Sequence, residues 1–169
     1  MKQTIDLLVN GREWPLEVEP YLALSECLRV NLAYTGDRVS CNQGHCGACT
    51  VLLDGEPVCS CMILAVDAVG KPITTIEGLA HDGKLHPLQQ AFIDKHGMQC
   101  GYCTPGMILS AKALLDQNPH PTELEIRESL AGNLCRCGSY QKIIKSVETA
   151  ANVMEGGEAA VFARSSMQD

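Results

Sequence analysis

The sequence predicts an α+β protein in which a small β-sheet is followed by a bundle of short helices. In the first part of the chain, apolar residues alternate with polar ones, which is typical of half-buried strands. Beyond residue 76 the apolar residues recur at the spacing of amphipathic helices. The 169 residues suffice for two small domains. We place the boundary where the period changes, giving domains at 1–76 and 77–154 and a C-terminal tail at 155–169.

Five short strands and one helix account for the first domain. The strands are predicted at residues 4–9, 14–18, 50–53, 58–62 and 73–76. The first two flank Asn10-Gly11 and the next two flank Asp54-Gly55, and both dipeptides favour two-residue hairpin turns. Between these hairpins, residues 22–32 place Leu24, Cys27 and Leu28 on one helical face.

Four helices with short connections predict a compact bundle in the second domain. Pro87 and Pro105 can each occupy the first turn of a helix. Thr122 and Glu125 have the spacing of a capping box that opens the third helix. The fourth helix covers residues 140–154. The tail that follows shows little pattern, so we expect it to be loosely held or ordered by a partner.

Charge and hydropathy exclude several classes of function. The formal net charge is −7, and an acidic chain is a poor candidate for nucleic-acid binding, which needs a basic face. No apolar run approaches the roughly 20 residues of a membrane span. Asp6 interrupts the first apolar stretch, and no signal-peptide cleavage site follows it. We therefore expect a cytoplasmic protein, whose clustered thiols are more often metal ligands than disulfides.

The first group of cysteines has the spacing C-x4-C-x2-C within CNQGHCGAC, residues 41–49. This spacing, completed by a later cysteine, is that of plant-type [2Fe–2S] clusters. Glycines in such a loop let the backbone turn its N–H groups toward the sulfurs. Cys59 and Cys61 both follow on the predicted hairpin, where the strand period places them on the same face, and the spacing alone does not choose between them. A zinc site remains the alternative, although zinc motifs usually come as two separate knuckles.

The second group has the pattern C-x2-C…C-x1-C, with 31 residues between its halves. Its members are Cys100, Cys103, Cys135 and Cys137. Each pair borders a predicted helix, so the four thiolates can meet where helix dipoles stabilise negative charge. This spacing alone also fits zinc. Beside a ferredoxin-like loop, it favours a second iron–sulfur cluster.

Three motifs in this order carry a family resemblance: CNQGHCGAC, QCGYCTPGM at 99–107 and GNLCRC at 132–137. They resemble the iron–sulfur small subunit of the molybdenum hydroxylase, or xanthine oxidase-like, family. Similar small subunits occur in carbon monoxide dehydrogenase and 4-hydroxybenzoyl-CoA reductase. The resemblance implies an N-terminal β-grasp, plant-ferredoxin-like [2Fe–2S] domain. A C-terminal four-helix-bundle [2Fe–2S] domain is expected to follow it.

The resemblance also implies the ligands of both clusters. The family's fourth ligand lies twelve positions after the third, which selects Cys61 and leaves Cys59 as a small buried apolar residue. Gln99 matches a position that approaches the pterin of a molybdopterin cofactor, and so does Cys137. The implied iron ligands are Cys41, Cys46, Cys49 and Cys61 in the first domain and Cys100, Cys103, Cys135 and Cys137 in the second.

The function implied by the resemblance is electron transfer without catalysis by this chain alone. The expected partners are a large molybdopterin-binding subunit, beside the helical-domain cluster, and a medium FAD-binding subunit toward the other cluster. A stand-alone iron–sulfur redox sensor and a zinc-stabilised binding module are the competing hypotheses.

A few residues depart from the family pattern or stand outside it. Ser40 replaces a glycine common before the first ligand, and Gly138-Ser139-Tyr140 stands where Thr-Gly-Tyr is common. Neither change removes a ligand, but both can alter hydrogen bonds to sulfur and so the potentials. Cys27 is expected in the core, and His45 in an exposed part of the cysteine loop.

Overall fold

The computed structural model describes residues 1–156, in which a five-stranded sheet packs against helices, confirming the α+β class. The strands are β1 (Gln3–Val9), β2 (Arg12–Val18), β3 (Thr50–Leu53), β4 (Glu56–Cys59) and β5 (Pro72–Thr74). The helices are α1 (Leu24–Glu26), α2 (Pro87–Asp94), α3 (Thr104–Gln117), α4 (Glu123–Ser129) and α5 (Tyr140–Glu155). Helix α5 includes the first residue of the predicted tail, and residues 157–169 lie outside the described part of the chain.

The sheet has the strand order β2-β1-β5-β3-β4, and only the β1–β5 pair is parallel. Both predicted hairpins are present. Asn10 and Gly11 have φ of 51° and 77°, and Asp54 and Gly55 have φ of 54° and 83°. Two successive positive φ values match the twist of hairpin strands, which explains why these dipeptides specify the register.

Strand β3 lies between two hydrophobic cores. All four of its residues are buried, because its two faces meet different partners. Val51 and Leu53 belong to the core of the sheet and α1, whereas Leu52 packs with the helical core. A strand buried on both faces reads as an unbroken apolar run. Cys49, directly before β3, is thereby held at the junction of the two cores.

The predicted helix at 22–32 forms in a different geometry. Helix α1 has only three residues and continues as a π-helical turn, Cys27–Asn31. The N–H of Leu32 closes that turn by donating to the Cys27 carbonyl at 3.2 Å. Cys27 is fully buried, as predicted. Helical periodicity of apolar residues does not distinguish the two geometries, so this turn could not be predicted.

Strand β4 is shorter than predicted and ends at Cys59 rather than residue 62. A 3₁₀ turn, Ser60–Met62, follows it. The cause is Ser60, whose N–H and hydroxyl both donate to the Cys49 carbonyl, at 3.1 and 2.8 Å. The expectation that Cys59 and Cys61 share one strand face is therefore wrong.

Strand β5 also ends early, at Thr74. The N–H of Thr75 donates to Asn10 Oδ1 at 2.9 Å instead of continuing the ladder. A 3₁₀ turn, Ile76–Gly78, then leads toward the helices.

The helices follow the predicted order and caps. Pro87 lies in the first turn of α2 and Pro105 in that of α3. Thr122 and Glu125 form the predicted capping box of α4. Phe92, Met107, Leu109, Ile126 and Ile143 are among the fully buried side chains of the helical core. Among the described residues, none of the helices combines the length and apolar character that a membrane crossing requires.

Candidate functional site

The loop before β3 wraps its backbone N–H groups around Cys41. Gly44 and Gly47 adopt φ of 73° and 66°, as their place in the loop predicted. The N–H of Gln43 donates to Cys41 Sγ at 3.4 Å. Hydrogen bonds from the N–H groups of Gln43, Cys46 and His45 lower the pKa of Cys41 to about 6. The loop thus favours a thiolate at this position.

The side chains of Cys61 and Cys59 are both in hydrogen-bonding contact with Cys49, but their other contacts differ. The Gly44 N–H acts to lower the pKa of Cys61, as suits a thiolate. The Cys59 thiol instead donates to the Gly44 carbonyl at 3.9 Å and so needs its proton. Burial raises the pKa of Cys61 to about 11 and also raises that of Cys59. Cys59 is half-buried rather than fully buried.

The four cysteines of the helical part converge as two pairs. The sulfurs of Cys100 and Cys137 lie 3.5 Å apart, and both residues are exposed. Cys103 and Cys135 are in hydrogen-bonding contact with each other, and Cys135 is buried. Cys103 is also the N-cap residue of α3, which brings the positive end of that helix to the group.

Backbone hydrogen bonds and burial shift the pKa values of these thiols in opposite directions. Burial raises the pKa of Cys103 to about 12, with the adjacent Cys135 adding to the rise. Burial alone would also raise the pKa of Cys135, but N–H groups of Ser139, Gly138 and Cys137 lower it overall. The Tyr102 N–H is the main cause that lowers the pKa of Cys100.

Eight of the ten cysteines can therefore be grouped into four adjacent pairs, and Cys59 is a ninth that also contacts Cys49. We define the first cysteine set as Cys41, Cys46, Cys49 and Cys61, and the second cysteine set as Cys100, Cys103, Cys135 and Cys137. The pairs are Cys41–Cys46, Cys49–Cys61, Cys100–Cys137 and Cys103–Cys135.

This pairing fits diiron centres, in which each iron takes two thiolates. Thiolates about 2.3 Å from one tetrahedral metal lie roughly 3.8 Å apart, close to the separation of the Cys100 and Cys137 sulfurs. Within residues 1–156, no group of three or more His, Cys, Asp or Glu side chains could hold a single metal ion. The cysteines thus offer pairs of thiolates rather than a complete site for one ion. The hydroxyls of Thr104 and Ser139, beside the second set, are buried without a hydrogen-bond partner. Such orphaned donors fit a group with acceptor sulfurs at that set.

The two cysteine sets are joined by a hydrogen-bonded seam. The N–H of Leu134 donates to the Cys46 carbonyl at 2.8 Å. The buried amide of Asn133 donates to the Gly47 carbonyl at 2.9 Å and accepts from the Ser110 hydroxyl at 2.8 Å. A Cβ on Gly47 would lie 2.4 Å from the Gly132 carbonyl, so the two backbones touch here. Asn133 is a site residue that the sequence analysis missed.

A second contact closes the outer side of this seam. The hydroxyl of Tyr102, beside Cys103, donates to the Val39 carbonyl at 2.6 Å. The Arg38 guanidinium lies 5.6 Å from the centre of the Tyr102 ring, within the range of a cation–π contact. Two segments far apart in sequence are thereby clamped beside both cysteine sets.

Asp37 places a buried carboxyl group beneath the first set. Both of its oxygens lie within 3.0 Å of the Ser60 hydroxyl, which also bonds the Cys49 carbonyl. Burial raises the pKa of Asp37 to about 7, although the Ser60 hydrogen bond and the Arg29 charge lower it. A single acidic residue in an aperiodic segment carries no sign of burial, so the sequence did not reveal it.

The surface around the second set is exposed and carries several apolar side chains beside the exposed Arg136. Gln99, Cys100 and Cys137 are exposed there. Neighbouring residues add apolar surface: Met98 is 37% exposed, Tyr102 40% and Leu134 60%. Exposed apolar patches of this kind are typical of protein–protein contacts.

At the first set, His45 is exposed, as predicted.

Comparison with known proteins connects this geometry to iron–sulfur proteins. A family model described as a [2Fe-2S] binding domain matches residues 75–148. The nicotinate dehydrogenase small FeS subunit of Eubacterium barkeri is 49% identical over 149 residues, or 88% of this chain and 95% of that protein. The nicotine 6-hydroxylase small subunit of Paenarthrobacter nicotinovorans is 48% identical over 143 residues, or 85% and 86%.

Solved structures show the same likeness. Quinoline 2-oxidoreductase from Pseudomonas putida 86 contains a chain with a TM-score of 0.88 and 42% identity, covering 94% of this chain and 99% of that one. Aldehyde oxidoreductase from Desulfovibrio gigas matches with a TM-score of 0.86 and 43% identity. That match covers 91% of this chain but 17% of the other, so in the second protein the similar part belongs to a much longer polypeptide.

Proposed function

The chain belongs to the family of iron–sulfur small subunits of molybdenum hydroxylases, and from this premise we propose which residues and partners serve its function. It is the electron-transfer component of a multi-subunit oxidoreductase and is not catalytic alone. The observation that carries the proposal is the pairing of eight thiols in two sets. Two [2Fe–2S] clusters would supply one-electron transfer, between a molybdenum centre and an acceptor.

Each cysteine set serves as the ligand set of one cluster in this proposal. Cys41, Cys46, Cys49 and Cys61 hold the first, and Cys61 is preferred to Cys59 because it receives the Gly44 N–H. The second cysteine set holds the other. The loop N–H groups on Cys41 and Cys135 stabilise the charged thiolates.

The finer architecture follows from the same assignment. We propose a β-grasp, plant-ferredoxin-like domain at 1–76 and a four-helix-bundle domain at 77–154, with 155–169 as a tail. The parallel β1–β5 pair flanked by antiparallel hairpins supports the first, and the helical core supports the second. None of the ten cysteines, all within residues 1–156, forms a disulfide, which suits a reducing cytoplasm.

The exposed apolar surface around the second set is the proposed contact with a large molybdopterin-binding subunit. Gln99 and Cys137 are exposed there and can approach the pterin, since an amide both donates and accepts hydrogen bonds. A medium FAD-binding subunit is the proposed neighbour of the first set, where His45 is exposed and Met62 is 60% exposed.

The test uses the chain purified anaerobically with its partner subunits. About four irons per chain and two rhombic paramagnetic signals after reduction are expected. A colourless, zinc-containing protein would identify a binding module instead. An iron-containing chain that purifies without a molybdopterin protein would identify a sensor.

Substitution of two neighbouring cysteines tests the ligand assignment. Cys61→Ser should remove the signal of the first cluster and about half of the iron, because serine replaces a thiolate ligand. Cys59→Ser is the matched control and should retain both signals. Loss of a cluster in Cys59→Ser with retention in Cys61→Ser would reverse the assignment.

A further inference from the structure

Two hydroxyl groups beside the second cysteine set have no partner in the described protein. Only four buried side-chain polar atoms in residues 1–156 lack one, and Ser139 Oγ and Thr104 Oγ1 are two of them. Ser139 is 4% exposed and Thr104 is 9% exposed. A buried hydroxyl without a partner costs about 1–3 kcal/mol, so such groups usually meet an acceptor.

Ser139 has the position of a helix cap but does not act as one. It is the N-cap residue of α5, where a serine hydroxyl normally accepts from a backbone N–H of the first turn. No side-chain capping bond is made. Ser139 lies two residues after Cys137, and its backbone N–H helps to lower the pKa of Cys135, which places this residue beside the cysteine set.

Thr104 occupies the corresponding place on α3. It directly follows Cys103 at the start of the helix. A threonine inside a helix commonly donates to a carbonyl three or four residues earlier, but no helical carbonyl precedes Thr104, and its hydroxyl has no other partner. The two helices that begin at the second set thus each bring one unused buried donor to it.

We propose that Ser139 Oγ, with Thr104 Oγ1 as its counterpart, donates a hydrogen bond to sulfur of the cluster held by the second set and raises its reduction potential. This inference rests on the proposed function. Reduction adds one negative charge to the cluster, so a donor to its sulfur stabilises the reduced form more than the oxidised one.

The buried hydroxyls near the first set, those of Ser60 and Thr50, are already engaged. Ser60 Oγ lies within hydrogen-bonding distance of Asp37 and the Cys49 carbonyl, and Thr50 Oγ1 donates to the Gly47 carbonyl at 2.7 Å. The effect is therefore specific to the second cluster.

A redox titration of the holo complex, followed by electron paramagnetic resonance, tests the proposal. Ser139→Ala should shift the midpoint potential of the second cluster to lower values and leave the first unchanged. Ser139→Thr keeps the hydroxyl and should keep the potential. Ser146→Ala is the matched control, since Ser146 is a buried serine of α5 whose hydroxyl donates to the Lys142 carbonyl at 2.8 Å. The Cys61→Ser variant, which lacks the first signal, assigns the spectra.

Thr104→Val provides an independent second variant, because valine matches the shape of threonine without its hydroxyl. It should lower the same potential, and it decides the question if Ser139→Ala does not assemble. If both variants contain both clusters and keep the wild-type potentials, this inference is overturned while the proposed function stands. Absence of two clusters from the wild-type complex would instead contradict the proposed function.

Discussion

At the scale of single residues, Asp37 departs furthest from the ordinary chemistry of its type. It is 2% exposed, and the Ser60 hydroxyl is within hydrogen-bonding distance of both carboxylate oxygens. One hydroxyl carries one proton. A protonated Asp37 can donate to Ser60, which then donates to the Cys49 carbonyl, so that all three groups are satisfied. The hydrogen-bond arrangement and the raised pKa agree on a carboxylic acid below about pH 7.

This protonation makes stability depend on pH. Between its ordinary pKa and about 7, the folded protein binds a proton at Asp37 that the unfolded chain releases, so stability falls as pH rises. From pH 5.5 to 8 the free energy of unfolding should drop by about 2 kcal/mol from this group, levelling above pH 7. Thermal midpoints across this range measure it.

Asp37→Asn removes the titrating group and should abolish that part of the slope. The exposed Asp67→Asn is the control and should retain it. Arg29 and Glu77 are the charged groups that act on Asp37, and Arg29 opposes the rise while Glu77 adds to it. An undiminished slope in Asp37→Asn would show that the carboxyl is ionised throughout.

Spacing along the chain is what led the sequence analysis to the cysteines of both sets. Metal ligation requires fixed intervals, so the cysteines could be proposed as ligands from the sequence, and this assignment stays a prediction that the cysteine substitutions test. Asp37 and Asn133 have no such interval, since their roles come from burial between segments distant in sequence.

At the scale of elements, the sequence predicted the features that residues close together in the chain specify. The two hairpins and the capping box of α4 were confirmed because each is specified within four residues. The end of β4 was not, because Ser60 turns the chain through a bond to Cys49, eleven residues away. The same long-range origin hides the close backbone contact at Gly47.

Gly47 provides a test of that contact. Gly47→Ala places a Cβ 2.4 Å from the Gly132 carbonyl and 2.7 Å from the Asn133 amide, at a φ of +66°. Gly55→Ala is a matched control, with φ of +83° and no atom within 4 Å of the added Cβ. Gly55→Ala should cost about 1–2 kcal/mol of stability through backbone strain alone.

Gly47→Ala should cost more, because the clash adds to the strain and pushes the two cysteine sets apart. The magnetic interaction between the reduced clusters, which weakens steeply with separation, should decrease only in this variant. Equal thermal midpoints and equal coupling in both variants would mean that the seam yields without separating the sets.

At the scale of the whole molecule, two cores share β3 and meet at the seam between the cysteine sets. The change of period near residue 77 predicted two regions but not their junction, which uses backbone groups and one asparagine. Assembly with partner subunits also belongs to the scale of the whole molecule. Cys100 and Cys137 of the second set lie at the surface, where an electron carrier needs its partner.

Leu134 tests whether the large subunit docks at this surface. It is 60% exposed beside Cys135, and its backbone N–H, not its side chain, bonds Cys46. Leu134→Glu should weaken association with the large subunit at least about tenfold, because a charge would be buried in an apolar contact. Leu124→Glu, on α4 and 63% exposed, is the matched control. Both variants should keep their iron content, so co-purification and binding titration report docking alone. Equal binding by both would place the large subunit on another face, and loss of binding by Leu124→Glu alone would move the interface to α4.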